Sequence, residues 1–112
     1  MTIQKKYRLD TVGRIFYIRN QDSVLINPTS LTVVVADSAG TTITTVVAGG
    51  TPPADATLIN IATGTYRLLF NISATAVYGT WTMKVTAVYT ESGVLTKTNT
   101  EDFAFEIIEH QV

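Results

Sequence analysis

The chain has no cysteine and a single histidine among its 112 residues. Without Cys, neither a disulfide framework nor a thiolate metal site is available. The one histidine, His110, stands third from the end, where chains fray, so it is not expected to act as a positioned base. The nucleophile and base pairings of acyl transfer therefore lack members, and the chain does not read as an enzyme. Charge is sparse too: 15% of residues are charged and the net charge is -1, unlike the basic excess of a nucleic-acid binder. No run approaches the ~18 apolar residues of a membrane helix, and the opening MTIQKKYRLD lacks the apolar stretch of a secretory signal. The expectation is synthesis in a cytoplasm, with no nucleic-acid and no membrane partner. On that route Asn71-Ile72-Ser73 is a chance match to the glycosylation sequon.

What is present points to strands. Apolar residues make up 46% of the chain, too many for a disordered segment, and the length fits one domain spanning residues 1–112. Twenty residues are Thr, joined by many Val and Ile, whose branched side chains suit a pleated surface better than a helix. Trp81, Met83, Val85, Ala87 and Tyr89 alternate with Thr80, Thr82, Lys84, Thr86, Val88 and Thr90, the period of a strand with one buried face. Tyr66, Leu68, Phe70 and Ile72 repeat the pattern, as do Phe103, Phe105 and Ile107. Residues 14–20, 31–36 and 41–47 read as earlier strands, 58–62 as a short one and 94–100 as another. Asp37-Ser38-Ala39-Gly40 is a hairpin connection, and Glu91-Ser92-Gly93 a turn. The prediction is an all-β, antiparallel sandwich of seven to nine short strands.

One phrase occurs twice: Gly64-Thr65-Tyr66 and Gly79-Thr80-Trp81, each opening an apolar run. The glycines let the chain bend into the strand, and the phase of each run turns the aromatic inward and Thr65 and Thr80 outward. Tyr66, Leu68, Phe70, Trp81, Met83, Val85, Phe103, Phe105 and Ile107 are accordingly expected to form the core rather than a ligand platform.

Little else can carry chemistry. Glu101 and Asp102 are the only adjacent carboxylates, and neighbours in a strand point to opposite faces. Asp37, Asp55, Glu91 and Asp102 lie near turns but lack the dense alternation of a calcium loop. Gly49-Gly50 leads into Thr51-Pro52-Pro53 and not into a Lys and a helix, so it is no phosphate cradle. No metal and no cofactor are expected.

Pro28-Thr29-Ser30-Leu31-Thr32-Val33, Ala36-Asp37-Ser38-Ala39-Gly40, Gly64-Thr65-Tyr66-Arg67, Gly79-Thr80-Trp81 and Phe103-Ala104-Phe105-Glu106-Ile107 together resemble a bacterial or bacteriophage immunoglobulin-like domain over most of residues 10–109. Such domains serve as decoration, neck and tail-accessory modules of phage particles and as linkers in adhesins. The resemblance implies an immunoglobulin-like β-sandwich and a structural role in a virion, made through contacts with capsid, neck or tail subunits and with further copies of itself. A sandwich that starts at Met1 without a signal fits a virion component assembled in the host cytoplasm. A carbohydrate- or cell-surface-binding module is the alternative, and it would need Tyr7, Tyr17, Tyr78 and Tyr89 to form an exposed strip.

Two further features concern contacts. Residues 1–19 carry a net +4 and residues 91–112 a net -4. Either the two ends meet within the fold, or residues 1–9 form an N-terminal arm whose Lys5, Lys6 and Arg8 dock on an acidic neighbouring subunit. Residues 41–45 and 96–100 are strand-like with Lys97 as their only charge, so edges built from them would lack the usual guards against pairing with another chain.

Overall fold

The computed structural model describes residues 4–91 and 95–109. Eight strands follow in chain order: β1 (Gln4–Lys6), β2 (Thr11–Tyr17), β3 (Ser30–Ala36), β4 (Thr42–Val47), β5 (Ala56–Ala62), β6 (Thr65–Asn71), β7 (Gly79–Glu91) and β8 (Leu95–Ile107). They form two sheets and no helix among the described residues. One sheet has the order β1-β8-β7-β3-β4 and the other β2-β6-β5. Every pairing is antiparallel except that of β1 with β8.

The core follows from the alternation of each strand. Leu31, Val33 and Val35 of β3, Trp81, Met83, Val85 and Ala87 of β7, and Phe105 and Ile107 of β8 are buried on one sheet. They meet Val12 and Phe16 of β2 and Tyr66, Leu68 and Phe70 of β6 on the other. Trp81, Phe70 and Phe105 form an aromatic triangle with ring centroids 5.9 to 6.3 Å apart. The indole Nε1 donates to the Val77 carbonyl oxygen at 2.9 Å, so the ring is buried without an orphaned N–H.

Polar side chains fix the turns. Asp37 Oδ1 accepts from the backbone N–H groups of Ala39 and Thr41, both at 2.9 Å, and thereby sets the β3–β4 hairpin. Thr44, at an inward position of β4, donates to Asp55 Oδ1 at 2.9 Å, which keeps its buried hydroxyl satisfied. Gly64 and Gly79 both have positive φ, +67° and +119°, at the starts of the two Gly-Thr-aromatic runs.

Several boundaries differ from the sequence reading. The first long strand is Thr11–Tyr17, three residues earlier than predicted, and a short strand β1 precedes it. The segments predicted as 94–100 and 103–107 are one strand, because β8 stays in unbroken register with β7 from Leu95 to Ile107. Thr65 does not face out. It is buried at 9%, next to a register irregularity between Asn60 and Ala62 of β5, with its hydroxyl turned to the Thr63 carbonyl. The 91–93 turn falls largely outside the described residues, and His110 does so entirely.

Candidate functional site

β7 and β8 are thirteen residues each, twice the length of most other strands, and form a hairpin that outruns its neighbours. On one flank β3 covers β7 only as far as Val88. On the other, β1 covers β8 only at Phe105, Glu106 and Ile107. Residues 95–104 of β8 therefore form a sheet edge with no neighbouring strand among the described residues.

The hydrogen-bonding parity of that edge can be read from its two ends. Ile108 N–H donates to the Lys6 carbonyl, so even-numbered residues of this strand turn their backbone towards the β1 side. On β7, the Val88 carbonyl accepts from Thr29 on the β3 side, which turns the odd-numbered Ala87 and Tyr89 towards β8. Their register partners are Asn99 and Lys97. Both observations agree: Thr96, Thr98, Thr100 and Asp102 present their N–H and C=O groups to the open edge, while Lys97, Asn99 and Glu101 bond inward to β7.

A cleft of about 400 Å³ lies beside this edge, between the end of β2 and the hairpin. Phe16 and Ile18 line one side, Val85 and Ala87 the floor, and residues 98–101 the other side. The sandwich is open here because β2 has a single strand neighbour, β6, and the two sheets' free edges face each other. Lower down the same flank, Arg14 closes the opening. It occupies the inward phase of β2 between Val12 and Phe16, and its guanidinium lies 4.1 Å from the Phe103 ring centroid. Phe103 in turn stacks on Phe16 at 5.2 Å. A charged side chain on an inward position is a common guard for an exposed edge. It protects residues near 103; beside residues 98–101 the cleft is lined by Arg19, whose guanidinium donates to the Ser23 carbonyl.

The outer edge of the same sheet, β4, is also without a second neighbour, so both segments singled out for their lack of charge are sheet edges. The outer face of the small sheet adds exposed apolar side chains: Ile15 and Ile59 flank Arg67 in one cross-strand row, with Tyr17 and Ile61 nearby.

The other expected site residues fall as follows. Tyr66, Leu68, Phe70, Trp81, Met83, Val85, Phe105 and Ile107 are buried, and Phe103 is partly buried beneath Arg14. Residues 4–8 are not an arm. Lys5 and Lys6 lie in β1, with Lys5 opposite Glu106 in register. Arg8 donates through Nε to the Ala76 carbonyl at 2.8 Å and stacks 4.3 Å over Tyr78. The two oppositely charged ends thus meet along β1 and β8, and Lys5 and Lys6 are presented by a paired strand. The four tyrosines do not make one strip. Tyr89 is buried, Tyr7 and Tyr78 lie by the β1 end of the sheet, and Tyr17 sits at the far end of β2, a strand about 20 Å long. Asp37 and Asp55 are engaged in separate turns, and among the described residues no group of three or more His, Asp or Glu could hold a metal ion.

No family model, curated protein or solved structure matches the chain.

Proposed function

We propose that this chain is a non-enzymatic structural module of a bacteriophage particle, a capsid decoration, neck or tail-accessory subunit that works through protein–protein contacts. The observation that carries the contact reading is the open edge of β8, where Thr96, Thr98, Thr100 and Asp102 aim backbone groups outward along a stretch whose residues 96–100 carry one charge, Lys97. A strand from another chain gains main-chain hydrogen bonds there without rearrangement of the sandwich. The small sheet's exposed Ile15, Tyr17, Ile59 and Ile61 supply a second surface of the same kind.

The strand order supports an immunoglobulin-like architecture. A three-stranded β2-β6-β5 sheet faces a sheet in which β3, β7 and β8 are central, with β4 added beside β3, as in sandwiches whose second sheet is extended by an extra strand. The departure is at the start of the chain, where β1 joins β8 in parallel instead of extending the β2 sheet. The placement in a phage particle rests on the sequence resemblance. The carbohydrate-binding alternative draws less support, since its tyrosines are dispersed or covered.

The test is quantitative mass spectrometry of particles purified from cells carrying the gene in its native context. The expected result is this chain at many copies per particle, in a fixed ratio to a capsid, neck or tail subunit. Recovery only in the particle-free fraction would overturn the placement.

A further inference from the structure

The geometry points to a second copy of this chain as the occupant of the β8 edge, paired antiparallel about a two-fold axis through Asn99. The inference deepens the contact reading above and rests on it. A two-fold interface must be self-complementary, because each residue i that meets a residue j is mirrored by j meeting i. The parity of β8 limits the choices. Two copies can share hydrogen bonds only if even-numbered residues face even-numbered ones, so the axis must pass through a residue and not between two.

Among the registers that centre on residues 97 to 101, one matches charge. An axis at Lys97 sets Lys97 against itself, and an axis at Glu101 sets Glu101 against itself. An axis at Thr98 faces Lys97 with Asn99, and an axis at Thr100 faces Lys97 with Phe103. With the axis at Asn99, Lys97 of each copy stands opposite Glu101 of the other, twice over. Their register partners within the hairpin, Tyr89 and Val85, are uncharged. In this register Thr98 faces Thr100 in pairs that exchange both backbone bonds, and Thr96 faces Asp102. The Lys97–Glu101 and Asn99–Asn99 pairs fall at the closer, non-hydrogen-bonded positions, where side chains interact best. The ladder from residue 96 to residue 102 also fits the open stretch, which β1 closes from Phe105 onward. The result is a ten-stranded sheet shared by two sandwiches.

Such a junction is smaller than a standard interface of about 1,200 Å² or more, so the dimer should be weak in solution and visible near millimolar protein. The experiment is sedimentation analysis of the whole chain over a concentration series, with Lys97→Glu, Glu101→Lys and the double exchange. The parent should dimerise reversibly. Each single reversal should weaken association about 10-fold or more, because each places two like-charged pairs at close positions. The double exchange should restore it. Since the chain has no Cys, Asn99→Cys gives a second readout: it should form a symmetric disulfide on mild oxidation, as its Cα pair would be about 4.5 Å apart. Thr45→Cys on the β4 edge should cross-link far more slowly. A parent that stays monomeric throughout, a double exchange no better than the single reversals, or faster cross-linking at Thr45 than at Asn99 would overturn the inference. A chain that is monomeric by these tests and yet present in many copies on particles would sink the self-pairing alone, leaving the contact reading intact.

Discussion

Replacing Trp81 by Ala is expected to destabilise the protein by about 3 to 5 kcal/mol, the range for deleting a large buried aromatic. The side chain is among the largest that are fully buried, and it sits in van der Waals reach of two other rings. Its removal opens a cavity between Phe70 and Phe105 that neighbouring strands, held in register on both sides of β7, cannot collapse to fill. For a domain holding about 5 to 15 kcal/mol in total, that is a large share. Urea unfolding followed by circular dichroism should show the midpoint fall sharply. Trp81→Phe should recover most of the loss, since a ring still fills much of the space and what disappears is the bond to the Val77 carbonyl and part of the indole's volume. A Trp81→Ala variant with the parent's midpoint would show that the indole is not part of the core.

The second large effect is at Gly64. Its φ of +67° is strained for other residues, and a Cβ there would lie 2.8 Å from the Ile18 carbonyl oxygen, 2.8 Å from Ile26 N and 2.9 Å from the Ile26 carbonyl oxygen. All three are backbone atoms, so no side chain can swing aside. They are also tied together, because Ile18 N–H donates to the Gly64 carbonyl, Ile26 N–H to the Ile18 carbonyl and Gly64 N–H to Asn27 Oδ1. Gly64→Ala should therefore cost about 3 kcal/mol, combining backbone strain with overpacking. Gly40→Ala is the control. Its φ is +84°, but nothing lies within 4 Å of the added carbon, so only the strain of about 1 kcal/mol applies. Equal losses at the two positions, measured by thermal unfolding, would show that the Ile18–Ile26 clamp contributes nothing.

Legibility in the sequence tracked whether a strand's partner lay on the same face as its apolar residues. β7 was plain because Trp81 to Tyr89 alternate without interruption over a buried face. β2 reads from Arg14 and not from Thr11 because Gly13 and Arg14 separate Val12 from the apolar residues that follow, although the Arg14 guanidinium covers Phe103. β1 was invisible: Gln4, Lys5 and Lys6 have no apolar period, and only backbone pairing with β8 makes them a strand. The pair Glu101-Asp102 reads as a break between two strands, yet register with β7 carries the backbone through it. Thr65 was misjudged because strict alternation takes no account of a bulge in the neighbouring strand.

The contact surface divides in the same way. That residues 96–100 would be an unguarded edge followed from their composition. The pairing of Lys97 with Glu101 across a two-fold axis did not, because it depends on which residues turn their N–H groups outward, and parity is fixed by the bonds of Ile108 and Val88 rather than by any residue type.

The most direct test of the β8 edge as the working surface is residue-resolved amide hydrogen exchange, comparing dilute isolated protein with the native assembly. In dilute protein Thr98 and Thr100 amides should exchange fast, while Asn99 and Glu101, bonded inward to β7, should be protected. In the assembly Thr98 and Thr100 should slow by at least about 100-fold, with Asn99 and Glu101 little changed. Thr98 and Thr100 amides that exchange equally fast in both states would contradict the account.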